Sequence, residues 1–487
     1  MAELIIYRGS KRITVTPTSD TYYLYRIGSG QVEGGDFINL NDGRRLNVLA
    51  EEMRDDYCRW IYSLNELFLQ AKLKINGLSL FFLTDLSCKR SEFFETYDLI
   101  CSLLLIRERL QGIELTSARL IGVDSGFERA FQSVFPTTRL ITFKGVQSRV
   151  TFWRRFRADV LYLLRLLGVV FINALNNPKQ KIGSQQHRKF FYSTYPQMFA
   201  EDGKENKYGD FVGETDGYAV SILTDGMHQQ VNLGAYRRFL QQAEACGYVV
   251  IDRFFRIGDV LSGVYWLCAL FWFFFQQKDS SYRFKEIDIT GLIRVELLFS
   301  MSRIVRLCTF KGAFQRFLEN TSIREIVYYP CEYPLGRMIS YIVNITDPEI
   351  IRTGFQMGIV SQRRLEQFLA PGEGARNLPY LSHAPIPDQV LAEDQNAAHI
   401  YRYAGYQNVE IMKKIYRYAY LDSVKTESRA GWSLIAPGLH DGETILEQLR
   451  TEIESNPDNT YVIKPHPRAD NRYLRQYSEI DNVKVSN

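Results

Sequence analysis

WSLIAPGLHDGETILEQLRTEIESNPDNTYVIKPHP, residues 432–467, carries the pattern that decides the fold class. Trp432 to Ala436 is a short apolar run closed by Pro437-Gly438, which reads as a strand and its turn. Asp441 stands as N-cap for a helix from about Glu443 to Ile453. Thr460 to Ile463 is a second strand, and Lys464-Pro465-His466-Pro467 must end it, because neither proline can donate to a sheet ladder. Strand, helix and strand in succession are the unit from which parallel α/β sheets are built.

The same alternation extends outward over almost the whole chain. Strands are predicted at Leu78 to Leu83, Arg119 to Val123, Arg139 to Phe143, Ala219 to Leu223, Tyr248 to Ile251, Glu325 to Tyr329 and Asn482 to Val485. Polar stretches at Asn176 to Ser184, Glu201 to Asp216 and Pro371 to Asn377 punctuate them. The expected layout is an N-terminal α/β region over 1–190, a Rossmann-like unit over 191–380 and a second over 381–487. In such sheets ligands sit at the carboxyl ends of the strands.

Composition narrows the class further. The 487 residues are 46% hydrophobic and include 31 Phe, 30 Tyr and 5 Trp, enough for a large core. Gly and Pro are scattered without period, which excludes collagen-like and disordered chains. The net charge of +4 does not argue for nucleic acid, but it is unevenly spread. Residues 144–189 hold ten basic side chains and one acid, Asp159, so that segment carries +9 and the remainder −5. Seven cysteines at wide spacings, with no paired Cys-x-x-Cys, read as free thiols in a reducing cytosol. No metal site is legible. Met1 to Arg8 lacks the apolar run of a secretory signal, so a cytoplasmic location is expected.

Two segments stand out. Val260 to Gln277 is an uncharged run of 18 residues, at the length threshold for a membrane span; it is read first as a buried helix, second as a helix on a membrane surface and last as a span, which would set α/β halves on opposite sides of a membrane. Arg149 to Leu175 runs from a basic start (Arg149, Arg154, Arg155, Arg157) into an apolar stretch. It has the profile of a helix at an anionic surface, although a core helix with a solvated basic face has the same pattern.

The candidate site residues follow from their places at predicted strand ends. His466 is held between two prolines with Lys464 and Arg468 beside it, a setting suited to phosphate. Gly438 and Asp441 sit in the loop before the helix, where backbone N–H groups can meet an anion. Asp225 and Glu332 each follow an apolar strand, and a carboxylate so placed can act as general base or nucleophile. Gln356 and Ser361 lie in a Gly-bearing loop and offer hydrogen bonds to sugar or phosphate. Phosphate-binding P-loop, dinucleotide and nucleophile-elbow motifs are absent, as is any Asp-x-Asp triplet.

Taken together, Tyr329-Pro330-Cys331-Glu332, Gly354-Phe355-Gln356 with Ser361, Pro437-Gly438-Leu439 and Ile463-Lys464-Pro465-His466-Pro467 resemble bacterial surface-polysaccharide glycosyltransferases of the GT-B type. The likeness runs from about Tyr218 to the end and is nearest to transferases of Kdo and sialic-acid-like sugars from CMP donors. It implies two Rossmann-like domains facing a cleft, with helical insertions. It also implies a metal-independent reaction, no cofactor beyond the nucleotide sugar, and His466 on the CMP phosphate. The acidic motif of those families ends in glycine; Asp225-Gly226 matches it in part, with Thr224 where a second acid is usual, and Glu332 is its rival. A Ser/Thr motif usually follows the His-Pro strand, and only 20 residues follow Pro467, so the donor unit is expected to be incomplete here or completed differently. The implied partners are a nucleotide sugar, a lipid-linked glycan acceptor and, through 144–189, the anionic inner face of the cytoplasmic membrane. Two other readings stand beside this one: a CDP-polyol phosphotransferase and a non-catalytic, membrane-apposed scaffold.

Overall fold

The computed structural model describes residues 2–9, 11–16, 21–28, 30–90, 94–143, 152–175, 189–200, 205–206, 208–209, 211, 217–223, 232–329, 334–356, 358, 360, 363–416, 431–437, 442–465 and 474–486. The fold is α/β, and its three main sheets are parallel throughout.

The first sheet comprises β1 (Ala2–Arg8), β2 (Thr21–Ile27), β3 (Ile38–Asn39), β4 (Leu115–Ile121) and β5 (Arg139–Phe143), in the order β3-β2-β1-β4-β5. The central strand β1 has Leu4, Ile5 and Ile6 wholly buried, the continuous apolar run of a strand covered on both faces. Helices α1 (Gly43–Ser63), α2 (Thr96–Arg109) and α3 (Ser125–Val134) connect the strands. Asp42 and Asp124 start α1 and α3 by accepting from the backbone N–H of Arg45 and Phe127.

Helix α4 (Phe152–Leu175) leads to the second sheet. Its elements are β6 (Lys189–Thr194), β7 (Gly217–Ser221), α5 (Leu233–Ala245), β8 (Val249–Val250), α6 (Ile257–Gln276), α7 (Thr290–Glu319), β9 (Glu325–Tyr328), α8 (Pro334–Thr346), β10 (Ile351–Phe355), β11 (Gln389–Ala392), α9 (Gln395–Tyr403) and β12 (Val409–Ile411). The strand order is β8-β7-β6-β9-β10-β11-β12. The expected division at 380 therefore falls inside this sheet. Thr353 of β10 pairs with Gln389 of β11, so hydrogen bonding holds the chain in one unit as far as Ile411.

The last unit is small. Strands β13 (Trp432–Ile435), β14 (Thr460–Ile463) and β15 (Val483–Val485) form a parallel sheet in that order, with α10 (Gly442–Ser455) crossing from β13 to β14. This is the strand-helix-strand unit expected for residues 432–467.

One continuous apolar core runs through the first two units. Helix α7 is its spine: it lies against α3, α4, α6 and α8. Gly291 at its start meets Gly126 of α3 so closely that a Cβ on Gly291 would stand 2.6 Å from the Gly126 Cα. The third unit has a separate core of Ile435, Leu446, Ile453, Tyr461, Ile463, Leu474, Tyr477 and Val483. The described cysteines are unpaired, with Cys58, Cys88, Cys101 and Cys308 buried and Cys246 and Cys268 exposed.

Candidate functional site

In each of the two larger sheets the first strand sits inside and later strands are added on both sides of it. The direction of addition reverses between β6 and β9 in the seven-stranded sheet, and a crevice opens at the carboxyl ends of such a pair.

A buried carboxylate ties the two strands together at that edge. Glu205, fully buried, accepts from Ser193 Oγ of β6 (2.8 Å), from the backbone N–H of Tyr208 (2.7 Å) and from the Tyr329 hydroxyl just beyond β9. Tyr208 stacks on Tyr329 with ring centroids 5.0 Å apart, and its hydroxyl donates to the Tyr192 carbonyl at 2.8 Å. Burial, and then the charge of Glu205, push the Tyr329 phenol well above its ordinary value, so it stays a neutral donor. The cluster is thus a rigid anchor for the chain that leaves β9.

A second carboxylate fixes the exit from β7. Asp252, fully buried just after β8, accepts from the backbone N–H groups of Ile222 (2.9 Å) and Leu223 (2.7 Å). Burial pushes its carboxyl up to about 6 against the opposing pull of those two bonds. Between the two exits lies a recess lined by Tyr162, Tyr192, Leu223, Arg306, Phe310 and Leu335. Arg306 brings a guanidinium to it, set over the Tyr162 ring at 5.0 Å and 3.9 Å from the buried Asp159. The recess holds about 10 Å³, room for one water-sized group.

Asp225 follows Leu223 by two residues and Glu332 precedes Pro334 by two; both lie outside the described residues, as do Ser361, Gly438, Asp441, His466 and Arg468. Gln356 is described at the carboxyl end of β10. Its amide Oε1 accepts from the Glu393 N–H (2.8 Å) and its Nε2 donates to the Gly358 carbonyl (2.9 Å), so both ends of the amide hold the turn together. Lys464 ends β14 with its backbone N–H donating to the Ile435 carbonyl at 2.9 Å and its side chain exposed. Among the described residues no group of His, Cys, Asp and Glu is arranged to hold a metal ion.

Neither buried carboxylate is among the candidates that the sequence pattern offers. The signal that singled out Asp225 and Glu332, an acid closing an apolar strand, is present at Asp252 as well. Glu205 had none, because it lies in the polar stretch 201–216. Comparison of the chain with protein-family models and with curated proteins returns no match.

Proposed function

We propose that the chain is a metal-independent, GT-B-like glycosyltransferase of bacterial surface-polysaccharide assembly, which moves Kdo or a related ulosonic sugar from a CMP donor to a lipid-linked glycan. The observation that carries the reading is topological. The segments bearing Asp225 and Glu332 leave the carboxyl ends of β7 and β9, on either side of β6 at the strand-order reversal, and the Lys464-Pro465-His466-Pro467 segment leaves the carboxyl end of β14. The larger sheet is the acceptor side and the small C-terminal unit the nucleotide side.

In this mechanism Asp225 or Glu332 takes the proton from an acceptor hydroxyl while its oxygen forms a bond to the anomeric carbon. The bond from that carbon to the donor phosphate oxygen breaks, and CMP leaves with the electron pair. Lys464, Arg468 and His466 meet the charge that develops on the phosphate.

The test is a His466→Ala variant assayed with CMP-Kdo and a lipid-linked acceptor, beside a thermal-shift panel of CMP, CDP, UDP and GDP. The proposal expects CMP to raise the melting temperature of the parent by mass action. It also expects the variant to fold but lose both transfer and the CMP response. Transfer retained in His466→Ala sinks the assignment, and a response to UDP in place of CMP identifies a different donor.

A further inference from the structure

Helices α4 and α6 share a surface that nothing among the described residues covers. They pack antiparallel: Phe152 at the start of α4 stacks on Phe274 near the end of α6 (centroids 5.3 Å apart, interplanar angle 20°). Farther along, Leu163 lies against Gly263, where an added Cβ would come within 2.5 Å of it. Both helices bury one face on α7, through Asp159 to Ser302 (2.7 Å) and Tyr162 to Thr309 (2.8 Å) for α4, and through Val260, Trp266, Leu267, Leu270 and Phe273 for α6. The opposite faces are apolar. Trp153, Leu164 and Phe171 on α4 and Leu261, Tyr265 and Trp272 on α6 are each 59% to 66% exposed. Their spacings of 11, 7, 4 and 7 residues keep each trio on one helical face. Both helices are long and apolar enough to cross a membrane by length and composition.

We propose that this paired face is a monotopic docking surface. In it α4 and α6 lie flat in the interfacial layer of an anionic lipid leaflet, with their exposed apolar side chains in the acyl region. Spanning does not fit the packing, because each helix keeps its other face on α7 inside the protein core. Helices of 24 and 20 residues lying in the plane present faces roughly 36 Å and 30 Å long.

Charge selects the occupant. Arg154 and Arg157 are exposed on α4, whereas the acid of each helix, Asp159 in α4 and Asp259 in α6, is buried. The two helices therefore offer exposed cations and no exposed carboxylate of their own, the nearest exposed acid after α6 being Asp279 beside the exposed Lys278, a balance that complements an anionic leaflet. Exposed Trp and Tyr on both helices are the residues that favour a membrane–water interface.

The far end of α4 reaches the candidate site: Asn173 Nδ2 donates to the carbonyl of Asp252 (2.8 Å), and Tyr162 lines the recess with Leu223 and Leu335. A lipid bearing a glycan would thus enter the leaflet beside the carboxyl edge of the sheet. This placement rests on the proposed function, whereas the docking surface itself does not.

The test uses the full chain in flotation with phosphatidylcholine vesicles and with vesicles that also contain phosphatidylglycerol, at low and high salt. Expected are flotation with anionic vesicles, a residue of binding that high salt does not remove, and quenching of tryptophan fluorescence by brominated acyl chains. The double variant L164E/L261E should float about tenfold less or worse, while I38E, a charge on an exposed apolar position of β3, should float as the parent does. A second pair, W153S/W272S, should lose the bromolipid quenching and keep its far-UV circular dichroism. Flotation undiminished in L164E/L261E overturns the proposal, as does absence of flotation. So does a dimer, seen by light scattering, that L164E/L261E dissolves while bromolipids quench nothing. A chain that floats but ignores CMP keeps this surface and loses the transferase reading; one that binds CMP without floating does the reverse.

Discussion

Glu205 shows how one side chain can set the geometry of two strand ends. Its carboxylate, shielded from solvent, accepts from Ser193, Tyr208 and Tyr329, and each buried donor left without an acceptor costs about 1–3 kcal/mol. Glu205→Ala should therefore lower unfolding free energy by at least about 3 kcal/mol, read by urea denaturation, whereas Glu205→Gln, which keeps an acceptor oxygen, should cost clearly less. Equal losses would show that the pocket tolerates unpaired donors. Two further carboxyls make stability depend on pH. Burial pushes Glu296 up to about 8, with the charge of Asp85 adding to the effect and the Thr96 hydroxyl opposing it, and Asp252 stands at about 6. The unfolded chain releases these protons near the ordinary 4.5 and 3.8, while the folded chain holds them longer. Their contribution is whole below the unfolded values and is lost as pH rises through the folded ones. The denaturation midpoint should fall from the acid side of neutrality toward alkaline pH, and Glu296→Gln should flatten the upper part of the fall by a few kcal/mol. An unchanged profile in that variant would refute it. Glu205 and Glu296 carry no mark in the sequence, since a carboxylate that is buried and bonded looks, residue by residue, like one in a loop; of the three, Asp252 alone stands where an apolar strand ends.

At the scale of elements, the segment from Leu78 to Arg90 is a strap buried along its whole length. Sequence periodicity predicts a strand over Leu78 to Leu83; instead, a single pair of ladder residues gives way to a 3₁₀ turn over Leu80–Leu83. Both forms bury a short apolar run, so the sequence cannot tell them apart. The strap is locked by buried charges: Lys89 Nζ lies 3.3 Å from Glu373 Oε2, Arg337 donates to Ser87 Oγ (3.0 Å) and lies 3.4 Å from Glu373 Oε1, and Arg90 lies 3.2 Å from Asp85. Removing one partner of a buried pair leaves the other charge uncompensated and costs about 3–5 kcal/mol. Glu373→Ala should accordingly lose stability on that order in calorimetry, and a loss below about 1 kcal/mol would mean that water compensates the cations. The strands Arg139–Phe143 and Thr460–Ile463 fall where the apolar runs put them. The strands β6, β10 and β11 escape such a reading because their central places depend on pairings made elsewhere. Arg352, inside β10, is buried because its Nε and backbone N–H both donate to Asp388 at 2.8 and 2.9 Å. An apolar pattern cannot foresee an arginine in the middle of a sheet.

Across the whole molecule the division of the core predicts how the chain opens. The first two units share one apolar core through α7, and they should unfold together. Among the described residues the C-terminal unit buries its own eight-residue core and meets the first unit at Glu447, which accepts from the exposed Arg12 (2.8 Å) and from Gln31 (2.9 Å). Exposed pairs of this kind contribute about 0–1 kcal/mol, so they cannot make the small unit open only when the rest does. Hydrogen exchange read by mass spectrometry should then find the amides of 432–435 and 460–463 protected by a smaller free energy than those of β1, β6 and β9. Under the proposed function the nucleotide binds this small unit, and ligand stabilises only the state that holds it. Saturating CMP should slow exchange at 432–463 and leave β1, β6 and β9 unchanged. Protection that rises equally in all three sheets would mean that the small unit is welded to the larger body. Protection that rises only around β6 and β9 would move the nucleotide to the edge held by Glu205 and Asp252.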